Sequence, residues 1–117
     1  MRPVKKDTNR IAKVNSLIQK ELGPVLLEFL YEHKGLVTIT KVETSRDMKW
    51  AKIWVSIFGG DDDKILDFLA KNIYHLQGEV NKHFHTKIIP RIGFHLDTTP
   101  RYAQHIEELV KKVHEEN

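Results

Sequence analysis

The order of hydrophobic periodicities along these 117 residues predicts an α+β fold, a three-stranded sheet covered by helices. Three observations carry that expectation. Two runs rich in β-branched and aromatic residues, 36–45 and 50–58, stand on either side of a short polar turn. Apolar stripes at three-and-four spacing precede and follow that pair. A third alternating segment, 88–96, comes late in the chain and is followed by one more stripe. The resulting order is α-β-β-α-α-β-α.

The first stripe starts behind Thr8 or Asn9, either a suitable N-cap, and runs through Ile11, Val14, Leu17, Ile18, Leu22, Leu26 and Phe29. Pro24 lies inside it and is expected to kink or divide the helix after Leu22, because proline lacks a backbone donor and crowds the preceding turn. Lys34-Gly35 ends the segment. In WAKIWVSIF, residues 50–58, strict alternation puts Ala51, Ile53, Val55 and Ile57 on one face and Trp50, Lys52, Trp54, Ser56 and Phe58 on the other. The aliphatic face is the expected core face.

Gly59-Gly60 breaks the second strand, and Asp61 to Asp63 supply capping oxygens and negative charge where a helix N-terminus favours both. The stripe that follows, Ile65, Leu66, Leu69, Ile73 and Leu76, resumes at Val80 and Phe84 beyond Gly78. A glycine costs a helix interior about 1 kcal/mol relative to alanine, so Gly78 is expected to mark a bend between two helices. In residues 88–96 Pro90 suits a strand edge or beginning. Asp97-Thr98-Thr99-Pro100 is a helix start with proline at the first position, ahead of Tyr102, Ile106, Leu109, Val110 and Val113.

The length fits a single domain, 1–117, and the 40% hydrophobic, 30% charged composition excludes disordered and collagen-like classes. With no cysteine there can be no disulfide, thiolate metal site or cysteine nucleophile. No apolar run approaches the roughly 20 residues that span a bilayer, and no signal-peptide core opens the chain, so a cytoplasmic location without membrane association is expected. The net charge of +3 is mild, but it is polarised. Residues 1–20 carry six bases against Asp7, and residues 82–101 carry Lys82, Lys87, Arg91 and Arg101 against Asp97. Residues 61–81 carry five acids against Lys64 and Lys71. Two separate basic segments that agree in sign point to an anionic partner.

Other chemistry finds little support. The closest histidine pair, His83 and His85, falls where a helix is expected to turn alternate residues apart, so no metal site is expected. Asp61 to Asp63 lack the glycine-containing loop of an EF-hand and fit capping better than chelation. Gly59-Gly60 is followed by acids and resembles no phosphate loop. No nucleophile or acid-base constellation is recognisable, so neither catalysis nor a cofactor is expected. Trp50, Trp54 and Phe58, with Lys52 between them, have two readings: a platform for stacked bases, or a face packed under the last helix or a terminal tail.

Three stretches, in order, together resemble ribosome-binding factor A. They are RIAKVNSLIQKEL at 10–22, VTITKVETSRDMKWAKIWVS at 37–56 and IIPRIGFHLD at 88–97. The second is similar to the family's hairpin through Thr38-x-Thr40, Val42-x-x-Ser45-x-Asp47 and Ala51-Lys52. The third resembles its last strand through Pro90, Ile92, Phe94 and Asp97. The resemblance implies a type II KH-like fold, α-β-β-α-α-β, here with an added C-terminal helix. It also implies a helix-kink-helix in place of the usual Gly-x-x-Gly loop. The family's Ala-x-Gly kink signature aligns with Leu76-Gln77-Gly78, which keeps the glycine and lacks the small residue.

By the same resemblance the chain is a non-enzymatic assembly factor, monomeric off the ribosome. It is expected to bind the small (30S) ribosomal subunit and its 16S rRNA late in maturation, to support processing of the RNA 5′ end, and to matter most in the cold. Phosphate contacts from lysine and arginine position proteins on RNA. The candidate RNA-binding residues are therefore Lys82, His83, Lys87 and Arg91, with Lys5, Lys6, Arg10 and Lys13 as a second strip. The alternative from another class is a protein-interaction module that docks a partner through the aromatic sheet face at Trp50 and Trp54.

Overall fold

The alternating run at 50–58 forms the central strand of the sheet. The computed structural model describes residues 3–29 and 35–100. Its elements are α1 (Pro3–Phe29), β1 (Leu36–Thr44), β2 (Trp50–Phe58), α2 (Asp62–Lys71), α3 (Ile73–Asn81) and β3 (Arg91–Leu96). The sheet order is β1-β2-β3. β1 and β2 form an antiparallel hairpin with Leu36 opposite Phe58 and Thr44 opposite Ala51. β3 lies parallel to β2, Trp50 beside Arg91 and Val55 beside Leu96. A parallel neighbour needs a long crossover, which α2 and α3 supply.

Ala51, Ile53, Val55 and Ile57 are at most 1% exposed, as the alternation predicts. They form one core with Ile18, Leu22 and Leu26 of α1, Ile65 and Leu69 of α2, and Leu76 and Val80 of α3. Burying each such side chain stabilises the fold by roughly 1.5–3 kcal/mol for the larger ones. Polar side chains of α1 satisfy the outer edge of β1. The Asn15 Oδ1 accepts from the Thr44 backbone N–H at 3.0 Å and from its hydroxyl, and the Gln19 amide donates to the Ile39 carbonyl at 3.2 Å. At Thr40 the hairpin register shifts, and the displaced hydroxyl donates to Asp97 at 2.6 Å, fastening β1 to the end of β3.

Several expectations need correction. α1 begins at Pro3, well ahead of Thr8 and Asn9, because proline at a first helical position gives up only an N–H that has no partner there. Pro24 does not divide α1. Gly23 removes the Cβ that would clash with the proline ring, and buried Leu22 and Leu26 anchor the helix on both sides.

The break between α2 and α3 falls at Asn72, not at Leu76-Gln77-Gly78. Asn72 has φ −106° and ψ 20°, and its side-chain amide donates to the Phe68 carbonyl at 2.8 Å, competing with the helical ladder. Gly78 is helical, its carbonyl accepts from the Lys82 N–H at 3.3 Å, and buried Leu76 and Val80 hold the turn around it. α3 ends at Asn81, so His83, His85 and Lys87 lie in a turn and loop rather than on a helix. β3 starts at Arg91, later than the expected residue 88. Thr99 and Pro100 turn helical, with the Asp97 carboxylate accepting from the Thr99 N–H at 3.0 Å. The last helix, expected from Tyr102 to Val113, lies outside the described residues.

Candidate nucleic-acid interface

Three elements converge where the hairpin turns. α1 runs antiparallel to β1, so its first half lies beside the turn at residues 45–49, and the loop into β3 arrives at the same end, where the Arg91 N–H donates to the Lys49 carbonyl at 2.9 Å. The turn is tightly made. The Ser45 N–H donates to the Trp50 carbonyl at 2.8 Å and the Met48 N–H to the Ser45 carbonyl at 3.0 Å, while Met48 takes φ 64°. The Asp47 carboxylate accepts from the Ser45 hydroxyl at 2.7 Å and the Lys49 N–H at 3.1 Å. These bonds, the Ser45 hydroxyl first, hold the Asp47 carboxyl below its ordinary range.

Arg10, Arg46 and Lys87 line a cleft of about 420 Å³ at this end, with Ile11, Met48 and Ile88 as its apolar walls. The structure thus brings together one candidate from each basic segment. It adds Arg46, which sequence reasoning missed because no helical or strand pattern marks a single arginine in a turn. Lys13 is exposed on α1. The side chains of Lys5 and Lys6 lie outside the described residues.

The other candidates sit elsewhere. Lys82 is exposed at the end of α3 and pairs with Glu79 at 3.0 Å, a bond that draws the Glu79 carboxyl below its ordinary range. His83 Nε2 lies 3.4 Å from Glu21 of α1. Arg91 is on the opposite face of the sheet, its guanidinium 6.0 Å from the Trp50 ring centroid. A second cleft, of about 340 Å³, lies there between Trp50, Arg91, Ile73, Tyr74 and Gln77.

On that same sheet face Trp50 and Phe58 are 58% and 66% exposed, and the last helix, which one reading packs over them, lies outside the described residues. Trp54 is half-buried, with its ring 5.2 Å from that of His95 and its indole N–H donating to Glu43 at 2.7 Å. Gln77 fastens the rim of this region: its amide donates to the Pro90 carbonyl at 3.0 Å and accepts from the Ile92 N–H at 2.9 Å.

A family model described as ribosome-binding factor A matches residues 10–110, a span that includes the three motif stretches. The chain belongs to the ribosome-binding factor A family. Similar members include the ribosome-binding factor A of Brevibacillus brevis, 36% identical over 89% of this chain and 88% of that one. That of Acinetobacter baylyi is 31% identical over 90% and 87%. The crystal structure of ribosome-binding factor A from Thermus thermophilus superposes at TM-score 0.63, with 17% identity, over 74% of this chain and 94% of that one. A homology model of the Thermus thermophilus factor, fitted into a cryo-electron microscopy map of a complex with the 30S subunit, gives TM-score 0.63, 17% identity and coverages of 72% and 91%. The observed α-β-β-α-α-β order and the three-stranded sheet are those of the type II KH-like fold expected of a ribosome-binding factor A.

Proposed function

We propose that this protein binds the small (30S) ribosomal subunit by gripping the phosphate backbone of its 16S rRNA, late in subunit maturation. In this reading it is an assembly factor without catalytic activity or cofactor. It acts in the cytoplasm as a monomer off the ribosome, supports maturation of the RNA 5′ end, and is most needed in the cold. The observation that carries the reading is the ribosome-binding factor A match over residues 10–110. The 30S complex of the Thermus thermophilus relative supports the choice of subunit.

The charge distribution supports the choice of RNA. Arg10, Lys13 and Lys87 are exposed, and Arg91 lies beside an exposed tryptophan, an arrangement suited to a phosphate next to a stacked base. Lys5, Lys6, Lys82 and His83 complete the proposed contact set. Lys82 and His83 are the weaker members, because each must leave an acidic partner to reach RNA.

Co-sedimentation of the purified full chain with small subunits, large subunits and intact ribosomes tests the reading. Selective, salt-sensitive association with small subunits is the expected result. Equal association with all three, or salt-independent capture of a protein through Trp50 and Trp54, would replace it.

A further inference from the structure

We infer that Arg10, Arg46 and Lys87 form a clamp for one backbone phosphate of RNA, with Arg46 of the hairpin turn as its central ligand. This deepens the proposed function and rests on it. Three cations from three elements far apart in sequence line one concave site, and among the described residues none of the three is ion-paired. Three lysines elsewhere are engaged, Lys41 with Glu43, Lys71 with Asp67 and Lys82 with Glu79. Other lysines outside any ion pair among the described residues, such as Lys52 and Lys64, line neither of the two clefts, so it is the convergence that marks this site.

Asp47 also lines the cleft, but its carboxylate is turned to work inside the turn, accepting from Ser45 and Lys49. Three cations against one carboxylate leave the site net positive. The turn itself is pinned by Ser45, whose hydroxyl also accepts from the Trp50 N–H at 3.1 Å, so the Arg46 backbone is ordered before any ligand arrives.

Two features favour a nucleotide unit within RNA over a bare ion. The cleft volume of about 420 Å³ exceeds what a phosphate fills, and Ile11, Met48 and Ile88 offer apolar walls to a ribose or base. Arg46 is suited to the phosphate because guanidinium presents paired donors in a plane that matches two of its oxygens.

The test compares wild type with Arg46→Ala, Arg46→Lys and, as a control remote from the cleft, Lys64→Ala. Affinity for purified small subunits is measured over a salt series, with thermal melting of each variant alongside. Arg46→Ala is expected to weaken binding roughly tenfold and to reduce the salt slope by about 1, with unchanged melting. Arg46→Lys should restore the slope but only part of the affinity, and Lys64→Ala should match wild type.

Wild-type binding with Arg46→Ala unchanged in affinity and slope would overturn the clamp while leaving the proposed function standing. No binding of wild type to small subunits would overturn both. A last arm adds millimolar adenosine monophosphate to the binding assay. Full displacement of the subunit would reassign the cleft to a free nucleotide, and no displacement is expected of an RNA-backbone site.

Discussion

The two ends of the sheet are closed by opposite devices. At the hairpin-turn end the amides of Asn15 and Gln77 bond to nearby backbone and the Asp47 carboxylate is taken up inside the turn, while Arg10, Arg46 and Lys87 stand outside any ion pair among the described residues. At the far end the closure is steric. Gly59 takes φ 78°, and a Cβ on Gly60 would lie 3.3 Å from the Gly35 Cα and 2.5 Å from Ile65 Cδ1. There the acids cap α2: Asp61 accepts from the Lys64 N–H at 3.2 Å, and Asp62 and Asp63 occupy the first turn. One core thus carries a positive end ordered by hydrogen bonds and a negative end ordered by packing. Charge that completes a helix cap serves the fold, whereas charge without an ion-pair partner beside an ordered turn is available to a ligand.

Removing the plug of the packed end should have the largest effect. Ile65 is 2% exposed and fills the space against both glycines, so Ile65→Ala is expected to cost about 2–5 kcal/mol in chemical denaturation. The folded fraction should keep its small-subunit affinity; a parallel loss of affinity would mean that the two ends are coupled. At the hydrogen-bonded end, Gln77→Ala strips partners from the Pro90 carbonyl and the Ile92 N–H and should cost about 1–3 kcal/mol. A neutral result would show that water serves β3 equally well.

Between the two ends, Gly78→Ala is expected to raise stability by about 1 kcal/mol, because α3 is regular there and a Cβ would meet nothing within 4 Å. A fall in melting temperature would return the bend to Gly78 and take it from Asn72. The smallest effect is on the Asp47 turn. Its carboxyl is held below the ordinary 3.8, so its contribution is present above that value and is lost as pH falls through the lower folded-state value. Asp47→Asn should therefore melt below wild type at pH 7, and the gap should narrow on acidification toward pH 3. A gap independent of pH would mean that the turn does not sense the charge.

Much of the fold was legible because local pattern and burial coincide. The face of β2 that is aliphatic in sequence is the buried one, and the Asp61 cap and the β1-β2 hairpin follow from neighbours along the chain. The bend was misplaced because glycine and asparagine weaken a helix by different means. Gly78 only lowers propensity, which packing of Leu76 and Val80 overrides, whereas the Asn72 side chain supplies an alternative bond to Phe68. The candidate site was legible as two basic segments and no further. Of its four first-choice residues, Lys82, His83 and Arg91 lie outside the cleft that holds Lys87.

By itself the sequence determined the element types, the core face of the sheet and membership of the ribosome-binding factor A family, because periodicity and motif are properties of residues close in the chain. Only the tertiary structure decided that Arg10, Arg46 and Lys87 share a cleft while Arg91 stands beside Trp50, away from it. Those distances depend on where the hairpin turns, how α1 lies along β1 and how a parallel β3 returns beside β2. The long crossover through α2 and α3 sets that return, and no spacing within any one segment encodes it.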